Sequence, residues 1–278
     1  MKWSKEAEDL LGRVPFFVRK KVRKRVEEEV GRTGRTQVVP EDLQRAQRRY
    51  MERMSDEVRG YRLETCFGAG GCPHRAVMSE GLLGDLKAAL EEADLKAFLE
   101  KEVEGPLRHH HELCVAVADC PNACSRPQIQ GIGLIGARFP EQTGEPCSAC
   151  GACVEACKEG AVALSGSPEE PFIDPDACLG CGACIEACPT GTLAEGRTGW
   201  RLLLGGKLGR HPHLADELSG LFSDEEVPAL VRKALEDYKA SSRGGERFSD
   251  FCARTGYPSS PQVIQEAGEV ASDSKGSG

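Results

Sequence analysis

Cysteines are the residues of this 278-residue sequence best suited to chemistry, and most of the 14 lie in tight clusters. Eight of them form two copies of the spacing Cys-x2-Cys-x2-Cys-x3-Cys, CSACGACVEACK from Cys147 and CLGCGACIEACP from Cys178. Three thiolates on a tight loop can wrap one face of an iron–sulfur cube, while the fourth is carried away on the helix that follows. The duplicated pattern predicts two 4Fe–4S clusters, with zinc as the alternative for clustered thiols.

The spacing of these motifs is that of bacterial two-cluster ferredoxins, in which the last cysteine of each motif ligates the other cluster. In that arrangement one cluster is held by Cys147, Cys150, Cys153 and Cys188, and the second by Cys178, Cys181, Cys184 and Cys157. Such clusters accept and pass single electrons without performing substrate chemistry. The repeat therefore predicts an electron relay, and the electrons need a destination elsewhere in the chain.

Four further cysteines upstream are spaced so that they could hold a third cluster. Cys66 and Cys72 are separated by five residues, and Cys120 and Cys124 by three. Two loops carrying two thiolates each supply the four ligands of a third 4Fe–4S cluster. The remaining two cysteines, Cys114 and Cys252, have no partners in this scheme, and we interpret Cys114 as a buried core thiol.

The segments around these four cysteines resemble the sirohaem sulfite and nitrite reductases. The likeness rests on CFGAGGC, CPNACSRP, GIGLIG and GGKLGRHP, and it covers roughly residues 62–222. A ferredoxin inserted between these segments resembles the dissimilatory sulfite reductase subunits. The resemblance implies that Cys66, Cys72, Cys120 and Cys124 bind a 4Fe–4S cluster, and that Cys124 also bridges to the sirohaem iron.

The same resemblance provides candidates for binding sirohaem itself. Family members hold the carboxylates of the macrocycle with basic side chains, and Arg126, Lys207 and Arg210 lie in the matching motifs. A guanidinium can grip a carboxylate through two hydrogen bonds; a surface ion pair is the alternative for each residue. A complete sirohaem reductase has two related halves, of which only one is recognisable here. No catalytic residue is assigned.

Two other motifs in this region have simpler interpretations. Gly131, Gly133 and Gly136 match a Gly-x-Gly-x-x-Gly fingerprint, but a dinucleotide site needs a helix after the glycines. Here Arg138-Phe139-Pro140 follows, so GIGLIG is interpreted as a core strand. The run His109–His111 would suit proton delivery, although we favour a solvated loop.

The elements that must position these motifs indicate an α+β fold in four parts. Residues 1–60 form a helical domain, 61–140 and 199–222 a sulfite-reductase-like domain, 141–198 the ferredoxin insert, and 223–278 a helix with a disordered tail. EAEDLLGRVPFFVRKKVRKRVEEE resembles the small C-terminal helical domain of the light-independent protochlorophyllide reductase B subunit.

Local signals predict individual elements. Ser4 is a candidate N-cap for the first helix, and Pro40-Glu41-Asp42 opens the third. In the second helix Phe17, Val18, Val22, Val26 and Val30 recur on one face. Residues 79–104 and 223–240 are predicted as helices. ELCVAVAD, GIGLIGARF and GWRLLLGGKLGRHPHL are predicted as strands.

Charge and composition restrict the partners. Residues 1–62 carry a net charge of +6 and the rest of the chain −14, with 10 acidic and two basic residues in the insert. The acidic body suits a redox partner protein with a basic docking face, and no DNA-binding motif accompanies the basic N-terminal segment. No signal peptide is recognisable and no apolar run reaches the roughly 20 residues of a membrane span. Clustered thiols without these features predict a cytoplasmic metalloprotein.

Three functions remain open from the sequence. In the first, the chain binds sirohaem, with the pocket completed by a second copy or by a different subunit, and reduces sulfite, nitrite or a similar oxyanion. In the second, it carries three clusters without haem and serves as an electron-transfer subunit of a larger redox complex. In the third, it is a reductase acting on another ligand such as a tetrapyrrole.

Overall fold

Helices and strands are interspersed along the chain in the computed structural model, which describes residues 1–167 and 169–257. The helices are α1 (Lys5–Gly12), α2 (Phe16–Arg32), α3 (Pro40–Glu57), α4 (Glu80–Glu92), α5 (Leu95–Glu102), α6 (Ala152–Ala156), α7 (Ala183–Ala187), α8 (Glu226–Ser241) and α9 (Phe248–Thr255). The strands are β1 (Lys2–Trp3), β2 (Gln37–Val38), β3 (Tyr61–Thr65), β4 (Leu113–Ala118), β5 (Ile132–Gln142), β6 (Val162–Ser165), β7 (Glu170–Ile173), β8 (Leu193–Leu204) and β9 (Asp216–Glu217). Mixed helix and sheet confirm the predicted α+β class.

The first of two compact units comprises residues 1–58 and 103–109, and it contains α1, α2 and α3. The Ser4 hydroxyl accepts a hydrogen bond from the Ala7 amide at 3.2 Å, as an N-cap does. Val26 and Val30 are buried in a small apolar core, in agreement with the predicted face of α2. Phe17 departs from that prediction, because it lies one turn beyond the packed part of the helix and is 74% exposed.

The second unit, residues 59–102 and 110–278, is built on a five-stranded sheet in the order β3-β4-β5-β8-β9. β3, β4 and β5 run parallel, and β8 and β9 are antiparallel additions. Side chains from alternate positions, such as Val115 and Leu134, enter a core shared with α4 and α8. Trp200 is fully buried at this core and donates its indole N–H to Asp224 at 2.7 Å.

The helices of this unit differ in part from the sequence prediction. The predicted helix 79–104 is broken at Asp94, which has φ 42° between α4 and α5. α8 agrees with the predicted helix 223–240. The sequence missed α9, whose Phe248 and Phe251 are buried against Tyr238 of α8. The predicted disordered tail lies, from residue 258 onwards, outside the described residues.

The ferredoxin-like insert leaves the sheet through a long hairpin. β5 and β8 are paired along nearly their whole length, from Ile132 opposite Leu204 to Gln142 opposite Leu193. β4 ends beside Ile135, so β5 continues beyond the carboxyl edge of the parallel sheet. Between the two arms lie α6, α7 and the two-stranded sheet β6–β7. The hairpin therefore carries the insert at the same edge at which β3 and β4 end.

None of the helices within residues 1–167 and 169–257 has both the length and the apolar character needed to cross a bilayer.

The described core predicts a contrast between two leucine truncations. Leu134→Ala, at a fully buried position of β5, should lower the free energy of unfolding by about 2–5 kcal/mol through lost burial and a cavity. Leu208→Ala, at a position that is 66% exposed, should change it by less than about 0.5 kcal/mol. Denaturant unfolding followed by circular dichroism measures both. Equal effects would contradict the assignment of this core.

Candidate iron–sulfur sites

The two cysteine motifs of the insert have nearly the same backbone. Gly151 (φ 75°, ψ −1°) caps α6, and Gly182 (φ 74°, ψ 0°) caps α7 at the equivalent position. Two residues earlier in each motif, Ala149 has φ 54° and Gly180 has φ 70°. These left-handed residues turn the chain sharply between successive cysteines, which brings three thiols of each motif to one side of the loop. The sequence repeat is thus a repeat of local conformation.

The fourth cysteine of each motif lies near the thiols of the other motif. Burial, together with the neighbouring charges of Cys178, Cys181 and Cys157, raises the pKa of Cys184 to about 11. Burial likewise raises the pKa of Cys153, with smaller contributions from Cys188 and Cys147. The structure therefore brings together the two sets that the ferredoxin arrangement predicts. Iron–sulfur ligation by these sets stays a prediction.

Backbone amides point at several of these sulfur atoms. The Ala161 amide donates to Cys157 Sγ at 3.2 Å, and the Ala149 amide donates to Cys147 Sγ at 3.3 Å. Burial alone would raise the pKa of Cys188, but hydrogen bonds from Leu193, Thr190 and Gly191 outweigh it and lower that pKa to about 7. Amide dipoles of this kind stabilise thiolates, the form in which cysteine binds metal.

The four upstream cysteines also come together, although the first and the last lie 58 positions apart in sequence. Cys66 directly follows β3 and Cys120 follows β4, and Thr65 pairs with Val117 across these parallel strands. The Asp119 amide donates to Cys66 Sγ at 3.3 Å. Burial raises the pKa of Cys120, and the charges of Cys124, Cys66 and Cys72 add to the increase. Two loops at one edge of the sheet thus bring four thiols close together.

Asp119, between β4 and Cys120, is a residue of this site that the sequence analysis missed. Its side chain is 1% exposed, and neither carboxylate oxygen has a hydrogen-bond partner among the described residues. The carboxylate lies against Gly68, where any Cβ would collide with it. Its backbone oxygen accepts hydrogen bonds from the amides of Ala76 and Val77. The Cys-x5-Cys loop is therefore packed directly on the residue before Cys120.

Cys124 is exposed, unlike Cys66, Cys72 and Cys120, which are half-buried. The Asn122 side chain donates to its sulfur at 2.9 Å. Arg126, two residues further on, has φ 57° and an exposed side chain. An accessible thiol beside an accessible cation is a suitable edge for a second, anionic group.

The other two basic candidates lie on a loop that is tied to the segment after Cys124. The Ala215 amide donates to Gln128 O at 2.8 Å, so the loop from Gly205 to Ala215 lies next to residues 127–130. Arg210 is exposed on this loop, whereas Lys207 forms an ion pair with Asp250 of α9. The loops of the three candidates are therefore close, but Lys207 already has an acidic partner.

The cysteines outside the cluster sets differ from each other. Cys114 is only half-buried, and the Arg62 guanidinium donates to its sulfur at 3.2 Å, which corrects its interpretation as a buried core thiol. Cys252 is buried in α9, and burial raises its pKa to about 12.

The three glycines of GIGLIG belong to β5 and its start, as a core strand predicts. A Cβ on Gly133 would collide with the backbone oxygen of Pro127, and one on Gly136 would lie 2.7 Å from Asp119 O. These glycines allow the loops that carry Cys120 and Cys124 to pack flat on the sheet. No helix follows them: β5 continues to Gln142.

A junction between β5 and the second cysteine motif was not visible in the sequence. The Arg138 amide donates to Gly180 O at 2.6 Å, and Arg138 pairs with Cys181 as an isolated parallel bridge. A Cβ on Gly180 would lie 2.9 Å from the Phe139 ring, and one on Gly182 would lie 2.5 Å from Arg138 Nε. The contacts join residues about 40 positions apart, and no local pattern signals them.

The donor sets fit 4Fe–4S clusters in their chemistry: four thiols each, with amide donors and left-handed turns between them. A cavity beside α7 is lined by all four thiols of the second set, together with Pro140 and Gly182. Within the described part of the chain, no three Cys, His, Asp or Glu side chains are placed to share a single metal ion. For sirohaem, the fit rests on the exposed Cys124 and on the nearby cations Arg126 and Arg210.

Comparison with known families assigns most of the chain. The family model described as "Nitrite and sulphite reductase 4Fe-4S domain" matches residues 62–270. This chain belongs to that family. A second model, "Proto-chlorophyllide reductase 57 kD subunit", matches residues 3–47, in agreement with the N-terminal resemblance.

Related proteins share parts of the chain. A coenzyme F420-dependent sulfite reductase from Methanocaldococcus jannaschii is 33% identical over 206 residues, which are 72% of this chain and 30% of that protein. An assimilatory-type sulfite reductase from Nitratidesulfovibrio vulgaris is 35% identical over 68 residues, 24% of this chain and 31% of that protein. The chain thus spans less than a third of the length of these relatives. The solved structure of dissimilatory sulfite reductase I superposes with a TM-score of 0.50 at 17% identity, covering 74% of this chain and 51% of that chain, and it shows a shared fold.

The repeated glycines allow a matched test of the junction. Gly182→Ala and Gly151→Ala share the same left-handed strain of about 1 kcal/mol, but only the Cβ at position 182 meets another side chain. Gly182→Ala should therefore lower the melting temperature and the iron content more than Gly151→Ala. Thermal unfolding and iron analysis of anaerobically purified protein measure the difference. Equal losses of melting temperature and iron content in the two variants would show that the Arg138 contact does not stabilise the structure.

Proposed function

We propose that this chain is an iron–sulfur oxidoreductase that passes single electrons through two ferredoxin-type 4Fe–4S clusters to a third 4Fe–4S cluster coupled to sirohaem. Its substrate would be sulfite, nitrite or a similar oxyanion. The observation that carries the proposal is the convergence of Cys66 and Cys72 with Cys120 and Cys124 at one edge of the sheet. Membership of the nitrite and sulphite reductase family supports the reaction class.

In this proposal each set of thiols has a separate task. The eight cysteines of the insert hold the two relay clusters, and the four at the sheet edge hold the third. When bound, the clusters would supply single-electron transfer, and sirohaem would supply an iron atom for the oxyanion. Cys124 is the thiol suited to the shared position, because it is the exposed member of its set.

β5 is the part of the chain that links the two groups of thiols. Gly136 packs against the backbone of Asp119, beside Cys120, while Ala137 and Phe139 pack against Gly180, beside Cys181. Residues 136–139 of one strand thus contact both sites. Electron transfer requires a short distance between sites. Because β5 contacts the turn of the second motif, we take the set of Cys157, Cys178, Cys181 and Cys184 as the one nearer to the sheet-edge site.

The basic side chains would bind and orient anions. Arg126 and Arg210 are exposed on adjacent loops beside Cys124, where they can contact sirohaem carboxylates or the substrate. Cations fixed close to a reacting oxyanion stabilise the charge that develops there. Lys207 contributes only if its ion pair with Asp250 opens, so we assign it the weaker role.

The acidic charge of the insert and the single recognisable reductase half both suggest partner proteins. The insert, with 10 acidic and two basic residues, suits a redox donor with a basic face. The chain spans 30% of the length of the related F420-dependent sulfite reductase. Because only one of the two reductase halves is recognisable in this sequence, we propose that a second copy or another subunit completes the sirohaem pocket, in a cytoplasmic assembly.

The alternative function is a haem-free electron-transfer subunit with three clusters. Two observations favour it: Lys207 is already neutralised by Asp250, and only one of the two reductase halves is recognisable. The thiol geometry suits both functions equally, so the discriminating property is the presence of sirohaem.

Absorbance and iron content of anaerobically purified protein separate these two functions. Three clusters correspond to about 12 iron atoms per chain, and sirohaem adds one. The main proposal predicts a Soret band and a band at the red end of the visible range. A broad brown shoulder alone, with about 12 iron atoms, would favour the haem-free subunit. Iron near eight would contradict the third cluster in both.

Substitution of Cys124 tests its shared role. Cys124→Ser should abolish magnetic coupling between haem and cluster and leave the ferredoxin signals intact, because those ligands belong to separate sets. Electron paramagnetic resonance measures both properties. Cys114→Ser is the matched control, a half-buried thiol outside the sets that should leave every signal unchanged. Loss of all cluster signals in Cys124→Ser would contradict separate sites.

A further inference from the structure

Arg138 is the charged residue at the junction between β5 and the insert. Its side chain is 18% exposed, and its backbone amide is fixed by the hydrogen bond to Gly180. The guanidinium lies over Gly182, the residue between Cys181 and α7. The position is held by both main-chain and side-chain contacts, so it belongs to the structure of the junction rather than to a solvated face.

The Arg138 guanidinium contacts two carboxylates and the turn at Gly182. Its outer edge pairs with Glu186 at 2.7 Å and with Glu195 at 3.5 Å, whose side chains are 70% and 52% exposed. Its inner nitrogen, Nε, is buried and has no hydrogen-bond partner among the described residues. The inner edge points towards the Cys181–Gly182 turn. The carboxylates are therefore screened by solvent, while the cation lies against the Cys181–Gly182 turn.

The equivalent turn of the first motif has no such neighbour. A Cβ on Gly151 would meet nothing within 4 Å, whereas one on Gly182 meets three atoms of Arg138. The φ and ψ angles of Gly151 and Gly182 agree within a degree. The two turns are thus matched at this glycine, and Arg138 lies against only one of them.

We propose that Arg138 selectively raises the reduction potential of the cluster held by Cys157, Cys178, Cys181 and Cys184. Reduction adds one negative charge, and a nearby buried cation stabilises the reduced form more than the oxidised form. This inference rests on the proposed function, since it requires clusters at both sets. A cluster held beside β5 would then be the more readily reduced of the two, which would give the relay a direction.

The test is a redox titration of intact, anaerobically purified protein, followed by electron paramagnetic resonance. Arg138→Gln should lower the midpoint of one ferredoxin-type signal and leave the other unchanged. We expect at least a tenfold change in the ratio of reduced to oxidised cluster at a fixed potential, which is about 59 mV for one electron. Loss of the cation also leaves Glu186 and Glu195 unneutralised, which acts in the same direction.

Control variants separate charge from geometry. Arg138→Lys should stay close to the wild-type midpoint, and Glu195→Gln should move it in the opposite direction. Arg201→Gln is the matched control, an arginine of the same hairpin bonded to Glu217 away from the motifs, and it should move neither midpoint. Repetition in a Cys150→Ser background assigns the shifted signal, because that variant removes a ligand of the other cluster.

The outcomes distinguish this inference from the function on which it rests. Wild-type protein without two ferredoxin-type signals would overturn the proposed function. Two signals that Arg138→Gln leaves unchanged, or shifts equally, would overturn only the role of Arg138. A shift of the same size in Arg138→Lys would assign the effect to packing and would also overturn it. If Arg138→Gln does not fold, Arg138→Lys and Glu195→Gln still decide the question.

Discussion

The parallel pairing of β3 with β4 is the constraint on which the rest of this molecule depends. It aligns Thr65 with Val117, and so it delivers Cys66 and Cys120 to the same edge of the sheet from distant parts of the chain. The hydrogen bond from the Asp119 amide to the Cys66 sulfur is a direct consequence of that register. A slip of one residue would turn every side chain to the opposite face and separate the two thiol pairs.

β5 extends the same geometry beyond the sheet. Because it is parallel to β4 and longer, its second half continues past the carboxyl edge, where β8 alone pairs with it. Small residues keep its surface close to its neighbours: Gly133 and Gly136 meet the loops of Cys124 and Cys120, and Ala137 meets Gly180. One strand thus supports both the sheet-edge site and the insert, without a flexible linker between them.

Much of this arrangement was predictable where the determinants are local. The cysteine spacings, the cap at Ser4 and the strands of GIGLIG and ELCVAVAD depend on neighbouring residues, and the described fold agrees with them. Asp119 and Arg138 could not be recognised, since their significance comes from contacts with residues some 40 to 50 positions away. The exposure of Cys114 and of Phe17 was missed for a related reason: periodicity indicates which face a residue occupies, and it does not indicate how far the packing on that face extends.

The insert shows how a duplicated sequence acquires two different environments. Both motifs fold alike because both have the same cysteine spacing, a Gly-Ala pair before the third cysteine and left-handed residues between cysteines. The hairpin contacts the turn of the second motif through Arg138, Phe139 and Ala137, whereas a Cβ on Gly151 in the first motif would meet nothing within 4 Å. Attachment to the sheet therefore breaks the symmetry that the repeat establishes. A relay built from identical units needs such a difference, because electrons move in one direction only where neighbouring centres differ in free energy.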